Sequence, residues 1–325
     1  MKILAVDDDP LSLELLDALV SQIGPHELVT ATSAVDALQC IAESSQDTFD
    51  CILLDIQMPG TNGIQLCEIV RAHPSYSRTP VLMITAMSDK KNIDDAFLAG
   101  ATDYLTKPFE ISELRGRIQM IERLLEERDL NARKISAQKA ADGNEPGKKI
   151  DLFDSVPIVE VAGVVEYNVL ENYVAQISRK SLFGSSVFAL KTVDFERLHQ
   201  RSSATDLQFI ITDVAEAISD ALEGTTFLMA YAGNGTFVCV VEGGWRPETT
   251  KLVNEVHRIL ESMELYTTGG APLQVELHPG PAIRLISRVG PRAVDALSEA
   301  QEEAEKSYED SQRNPLGELY WNVSA

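Results

Sequence analysis

Six polar side chains stand where apolar runs end. Asp7, Asp8 and Asp9 follow the first run, Asp55 closes the third, Thr85 the fourth and Lys107 the fifth. Acids, a hydroxyl and an ammonium gathered at one edge form a constellation suited to phosphoryl or metal chemistry. Two carboxylates about 4 Å apart repel by roughly 4 kcal/mol at the effective dielectric of a protein surface. Three such acids destabilise a fold unless a cation joins them, and a hard cation with oxygen ligands, Mg²⁺, suits the set. A plainer role exists for one of them. Asp9 before Pro10 is a helix cap with proline in the first turn. Capping explains Asp9, explains Asp7 and Asp8 poorly, and leaves Asp55 unexplained.

The elements that must position these residues are legible as alternation. The runs ILAV (3–6), LVTAT (28–32), CILLD (51–55), VLMIT (81–85) and DYLTK (103–107) read as strands. Helical patterns over 10–20, 33–43 and 63–73 lie between them. Strict β/α alternation predicts a doubly wound, five-stranded parallel sheet covered on both faces. Ligands of such sheets bind outside the carboxyl ends of the strands, where the polar residues fall. From Phe109 a helical stretch carries Ile111, Leu114, Ile118, Ile121 and Leu125 at three-four spacing. Both dimerisation through this seam and packing as the last helix of the domain remain open.

The motifs VDDDP (6–10), LLDIQMPGTNG (53–63), ITA (84–86) and YLTKPF (104–109) resemble the signatures of the response-regulator receiver domain of two-component signalling. The resemblance covers residues 1–125 and implies a flavodoxin-like fold. It implies that Asp55 is the phosphoacceptor for a histidine kinase or phosphotransfer protein. Asp8 and Asp55 then ligate Mg²⁺ with the main-chain carbonyl of Gln57, and Asp7 helps through water. Lys107 pairs with the phosphoryl group or with Asp55, Thr85 donates its hydroxyl, and Tyr104 is the switch aromatic. The family also places a cis-proline at Lys107-Pro108.

The remaining chain mixes its elements. A helical or flexible linker is expected over 126–150, with the turn-rich DGNEPGKK at 142–149, and an output domain over 151–325. SVFALKTVDF (186–195) reads as a strand, 205–223 as a helix and TFLMAYAGNGTFVCVVEG (226–243) as a hairpin turning on Asn234-Gly235. A helix at 248–264, a strand around 273–286 and an acidic helix at 291–310 follow. Strands joined by both hairpins and helices predict an α+β domain with a mainly antiparallel sheet.

This order, with VFALKTVDFERLH (187–199), YAGNGTFVCVV (231–241) and EAQEEAEKSYEDSQRN (299–314), resembles a GGDEF domain, the diguanylate cyclase module. The resemblance implies where chemistry has been lost. The family's Gly-Gly-Asp-Glu-Phe falls on Gly233, Asn234, Gly235, Thr236 and Phe237, so its acidic pair is absent. Its metal-binding aspartate falls on Lys191 and its guanine-contacting asparagine on His199, while Asp206 keeps a second base contact. Its inhibitory product site falls on Gly224 and Phe227 and is not retained. Cyclase chemistry needs carboxylate-held metal ions, so the domain is expected to be inactive. Lys191, His199 and Asp206 remain as vestigial nucleotide contacts. Lys191 reaching solvent and Asp206 capping a helix is the plainer account of the two.

Composition sets the surroundings. Fifty acids against 28 Lys and Arg leave the 325-residue chain at a formal charge of −22. That argues against nucleic acid or an anionic membrane as partner. MKILAVDDDP carries no export signal, and no apolar run approaches a membrane span, so a cytoplasmic, bacterial protein is expected. Cys40, Cys51, Cys67 and Cys239, the five histidines, and Trp245 and Trp321 show no ligand or stacking pattern. The expected function is a non-enzymatic response regulator whose output domain engages an unidentified protein target when Asp55 is phosphorylated, with the 109–140 helix relaying the change or forming a homodimer. The alternative is a receptor for GTP or cyclic di-GMP.

Overall fold

The structure is a computed structural model. It describes residues 1–44, 47–86, 90–108, 110–141, 161–176, 184–242, 247–286 and 290–313, with 152, 156, 158 and 288 singly between them. Phe109, the 142–149 segment, Trp245 and Trp321 lie outside the described residues. The chain divides into two compact units, Met1–Glu145 and Pro146–Ala325.

In the first unit, β1 (Lys2–Val6), β2 (Glu27–Ala31), β3 (Cys51–Asp55), β4 (Val81–Thr85) and β5 (Asp103–Thr106) form one sheet in the order β2-β1-β3-β4-β5. Every neighbouring pair is parallel, so all five carboxyl ends meet at one edge. Helices α1 (Pro10–Ile23), α2 (Ala34–Glu43), α3 (Gly63–Ala72), α4 (Lys90–Leu98) and α5 (Ile111–Ala141) complete the unit. The two-residue period of the strands sorts their side chains between the faces. Leu4, Val6, Ile52, Leu54 and Met83 pack with α2, α3 and Ala96 of α4. Ile3, Ala5, Leu53, Leu82, Ile84 and Leu105 pack with α1 and α5.

The apolar seam of α5 is therefore occupied within its own unit. Leu114, Ile118 and Ile121 are fully buried against the sheet, and Leu125 packs beside them. Burial of each such side chain stabilises by about 1.5–3 kcal/mol. Asp103 and Arg117 tie the same helix to β5 through an ion pair of 2.9 Å, with the carboxylate fully buried. The helix runs without a break to Ala141. Helix α4, whose charged KKNIDDAFL carries a weak apolar pattern, is absent from the sequence reading.

The second unit is built around β6 (Ser186–Thr192), β7 (Phe227–Tyr231), β8 (Thr236–Val241), β9 (Leu277–Pro279) and β10 (Ile283–Arg284). The order is β10-β6-β8-β7, with β9 also paired to β6, and all these pairs are antiparallel. Its helices are α6 (Tyr167–Gln176), α7 (Phe195–Arg201), α8 (Ala204–Ala221), α9 (Thr249–Met263) and α10 (Pro291–Arg313). Phe188, Leu190, Met229, Phe237 and Cys239 face α8 and α9 in one core. Helices α6 and α10 lie against β6, β7 and β8 as well.

Two expectations here need correction. The strand read over 186–195 stops at Thr192, because Asp194 takes a left-handed backbone (φ 49°) and α7 starts at Phe195. The strand read over 273–286 is two short strands, with Gly280 and Pro281 between them. Gly280 has no room for a side chain, since a Cβ would lie 2.8 Å from the Ala189 carbonyl oxygen. Helix α6 is likewise an addition to the sequence reading.

Candidate functional site: an acidic pocket in the first unit

Four of the five strands of the parallel sheet deliver a polar residue to the same edge. Asp7 follows β1, Asp55 ends β3, Thr85 ends β4 and Lys107 follows β5. Parallel register places Asp55 and Thr85 on adjacent strands, as Asp55 pairs with Ile84 and Thr85 with Thr106. The Lys107 backbone N–H donates to the Thr85 carbonyl at 2.7 Å, which holds the lysine in the pocket. The Lys107-Pro108 bond is cis.

One carboxylate oxygen each from Asp7, Asp8 and Asp55 lies within 4.8 Å of the others. Asp7 is 1% exposed and Asp55 6%, whereas Asp8 is exposed. The Lys107 ammonium bridges the buried pair, donating to Asp7 Oδ2 at 2.6 Å and Asp55 Oδ2 at 3.1 Å. Asp7 also accepts from the Ser12 hydroxyl at 2.6 Å and from the Asp9 N–H at 3.0 Å. Asp55 Oδ1 accepts the Gln57 N–H at 3.3 Å. Asp9 stands apart as the cap of α1, its side chain accepting the Leu11 N–H at 3.0 Å.

Burial pushes the Asp55 carboxyl above its ordinary range, against the opposing pull of Lys107. Burial alone would lower Lys107, but its hydrogen bonds to Asp7 and Asp55 hold its pKa above the usual value. A single ammonium bridging two carboxylates, with a third nearby, leaves negative charge in excess. The donor set is all oxygen, so the residues present fit Mg²⁺. Thr85 is fully buried at the end of β4, and Tyr104 is half-buried with its ring edge-on to Phe97 at 6.3 Å. Burial raises the Tyr104 phenol above its usual value.

Two contributors escaped the sequence reading. Ser12 lies one turn into α1 and carries no local signal. Gly63 sits where a Cβ would lie 2.1 Å from the Asp55 carbonyl oxygen. Only a glycine lets α3 start this close behind β3. The Asn62–Gln65 capping box then fixes the helix start.

In the second unit the hairpin tip assembles differently. Gly233, Asn234 and Gly235 all have positive φ (88°, 47° and 68°), and the Thr236 N–H donates to the Gly233 carbonyl at 2.9 Å. This is the tight turn expected of Asn-Gly. Lys191 pairs with Thr236 across β6 and β8 and is 5% exposed. Its ammonium donates to the Asn234 carbonyl and lies 3.6 Å from Glu305 of α10. Burial lowers its pKa, partly offset by Glu305. Lys191 thus turns inward rather than reaching solvent, which corrects the plainer reading of that residue.

Asp206 caps as that reading expects. Its Oδ2 accepts the Ser203 hydroxyl at 2.7 Å and the Ser203 N–H at 3.2 Å, while Oδ1 accepts the Thr268 N–H at 2.6 Å. The Thr268 and Ser203 bonds pull its pKa to about 2. Both oxygens are therefore engaged inside the protein. His199 is half-buried on α7, and Phe237 is buried with its ring 5.2 Å from that of Tyr231. Gly224 and Phe227 bring no charged side chain to the start of β7.

Residues 3–119 match the family model of the response regulator receiver domain. Over 114 residues the chain is 36% identical to the signal transduction histidine-protein kinase BarA of Escherichia coli (strain K12), covering 35% of this chain and 12% of that protein. Over 117 residues it is 37% identical to the uncharacterized transcriptional regulatory protein YrkP of Bacillus subtilis (strain 168), covering 36% of this chain and 47% of that protein. The chain thus spans from about an eighth to under half of the length of these relatives. Among solved structures, chemotaxis protein CheY4 of Vibrio cholerae is 30% identical, matched over 37% of this chain and 97% of that one, with a TM-score of 0.34. The N-terminal unit contains a receiver domain. Among the described residues no helix is long and apolar enough to cross a membrane.

Proposed function

We propose that the chain is a response regulator of a two-component phosphorelay, phosphorylated on Asp55, with a degenerate GGDEF-like output domain that acts by protein–protein contact. The observation that carries the first half is the Lys107 bridge between Asp7 and Asp55 beside an exposed third acid. In this reading Asp55 attacks phosphorus in line. An O–P bond forms at its carboxylate as the P–N bond of a donor phosphohistidine breaks, that bond's electron pair returning to the imidazole. Asp8, Asp55 and the Gln57 carbonyl would hold Mg²⁺, which supplies neutralisation between the nucleophile and the phosphoryl oxygens. Lys107 moves from its carboxylates to the new phosphoryl charge. Thr85, at the end of β4, and Tyr104, near the start of β5, carry the change toward the surface.

The second half rests on the hairpin tip. The order strand, helices, hairpin, helix, strand supports the GGDEF-like reading, as does the tight turn over 233–236. No carboxylate stands in that turn, and a buried ammonium lies where metal ions would need acids. This favours contact over catalysis. Asp206, with both oxygens engaged, gives the nucleotide-receptor alternative no support.

Labelling with radioactive acetyl phosphate and Mg²⁺ tests the proposal. The wild-type chain takes up label near stoichiometry and Asp55→Asn takes up none; stoichiometric labelling of that variant would falsify the assignment. Incubation of the phosphorylated chain with GTP yields no cyclic di-GMP, and measurable product would overturn the reading of the output domain.

A further inference from the structure

A cleft of about 470 Å³ opens in the second unit between α7 and the 267–275 segment that leads into β9. That volume is within the range of small-molecule sites. Leu198, Leu273 and Val275 form its apolar side. Arg197 and Arg201, four residues apart and hence on one face of α7, bring two guanidiniums to it.

One acid faces them. Asp194 lies 3.6 Å from Arg197 and accepts the Tyr308 hydroxyl at 3.0 Å, so its charge is already engaged. Arg201 makes no ion pair among the described residues, although the chain carries 50 acids against 28 Lys and Arg. The cleft therefore has a cationic rim over an apolar floor, in a protein whose overall field is negative. None of Lys191, His199 and Asp206 lines it, while Thr192 of its wall donates its N–H to the Gly235 carbonyl at 2.8 Å.

We propose that this cleft binds a small organic anion. Its phosphate, sulfonate or carboxylate head meets the guanidiniums, which suit such groups through paired N–H donors. A ring-sized apolar body lies against Leu198, Leu273 and Val275.

The probe for the test is 1-anilinonaphthalene-8-sulfonate, an anionic head on an aromatic body, titrated into the full chain and followed by fluorescence. We expect saturable one-to-one binding, weakened about tenfold or more by Arg201→Glu and by raising NaCl from about 50 to about 500 mM. Uncharged N-phenyl-1-naphthylamine binds about tenfold more weakly than the sulfonate, because the apolar floor alone remains to it. Arg313→Glu, on an exposed helix end, leaves affinity unchanged. Circular dichroism verifies that each variant folds, and Arg197→Gln and Arg201→Gln replace the charge reversal if it does not. Binding that loss of either arginine leaves within about twofold, or equal affinity for the uncharged analogue, overturns the proposal.

Discussion

The two units each set a lysine against oxygen atoms at the end of a strand, and the outcomes differ. Lys107 faces two buried carboxylates with a third nearby, so its pocket keeps an excess of negative charge. Lys191 faces a carbonyl and one glutamate at 3.6 Å, and the charges there balance. An unbalanced pocket stays receptive to a cation and an incoming phosphoryl group. A balanced one is complete without a ligand. A lysine at a strand end is thus a poor guide to chemistry, and the local charge balance is the better one.

The sharpest way to break the comparison is at the turn itself. Gly235 has φ +68°, and a Cβ there would lie 2.5 Å from the Phe195 ring. Gly235→Ala is expected to cost about 2–4 kcal/mol from left-handed strain and overpacking, read as a lower urea midpoint. A change under about 0.5 kcal/mol would mean that the tip is pliable and its closure incidental.

Next in size is the charge excess of the first unit. Asp8→Asn should weaken Mg²⁺ affinity by at least about tenfold, since loss of even a group that merely supports a ligand costs that much. Calorimetry with Mg²⁺ reads it, and unchanged affinity would remove Asp8 from the site. Lys191→Ala should leave that affinity as it is.

The smallest effect is the pH dependence of Asp55. Its folded-state pKa is raised, so the folded chain binds this proton more tightly than the unfolded chain. The stability it contributes is present below the unfolded value and is lost as pH rises through the folded one. Asp55→Asn should therefore raise the melting temperature at neutral pH, with the gain fading as the solution is acidified below the ordinary carboxylate range. A gain independent of pH would place its origin elsewhere.

Much of the first unit was legible because its signals are local. CILLD and VLMIT coincide with β3 and β4, since a continuous apolar run in a parallel sheet has one reading. The polar residues at the ends of β1, β3, β4 and β5 were legible for the same reason. The role of the α5 seam was not, because spacing alone does not say whether Leu114 and Ile118 meet a sheet or a second chain. In the second unit the hairpin was plain, whereas α7 was hidden. VDF continues the alternation of β6, and only the left-handed backbone at Asp194 ends the strand. The fate of Lys191 and Asp206 depended on Glu305 and Thr268, each more than 60 residues away in sequence, and no pattern announces such partners.

Gly235 carries one more consequence, for the history open to this chain. Phe195 fills the space that any side chain at position 235 would enter. An aspartate placed there by a single codon change would arrive with a steric collision and a strained backbone, before it could meet a metal ion. An acid at this position first needs a smaller residue at 195. The packing beneath the hairpin works as a filter: it admits glycine at position 235 and turns away every residue with a side chain.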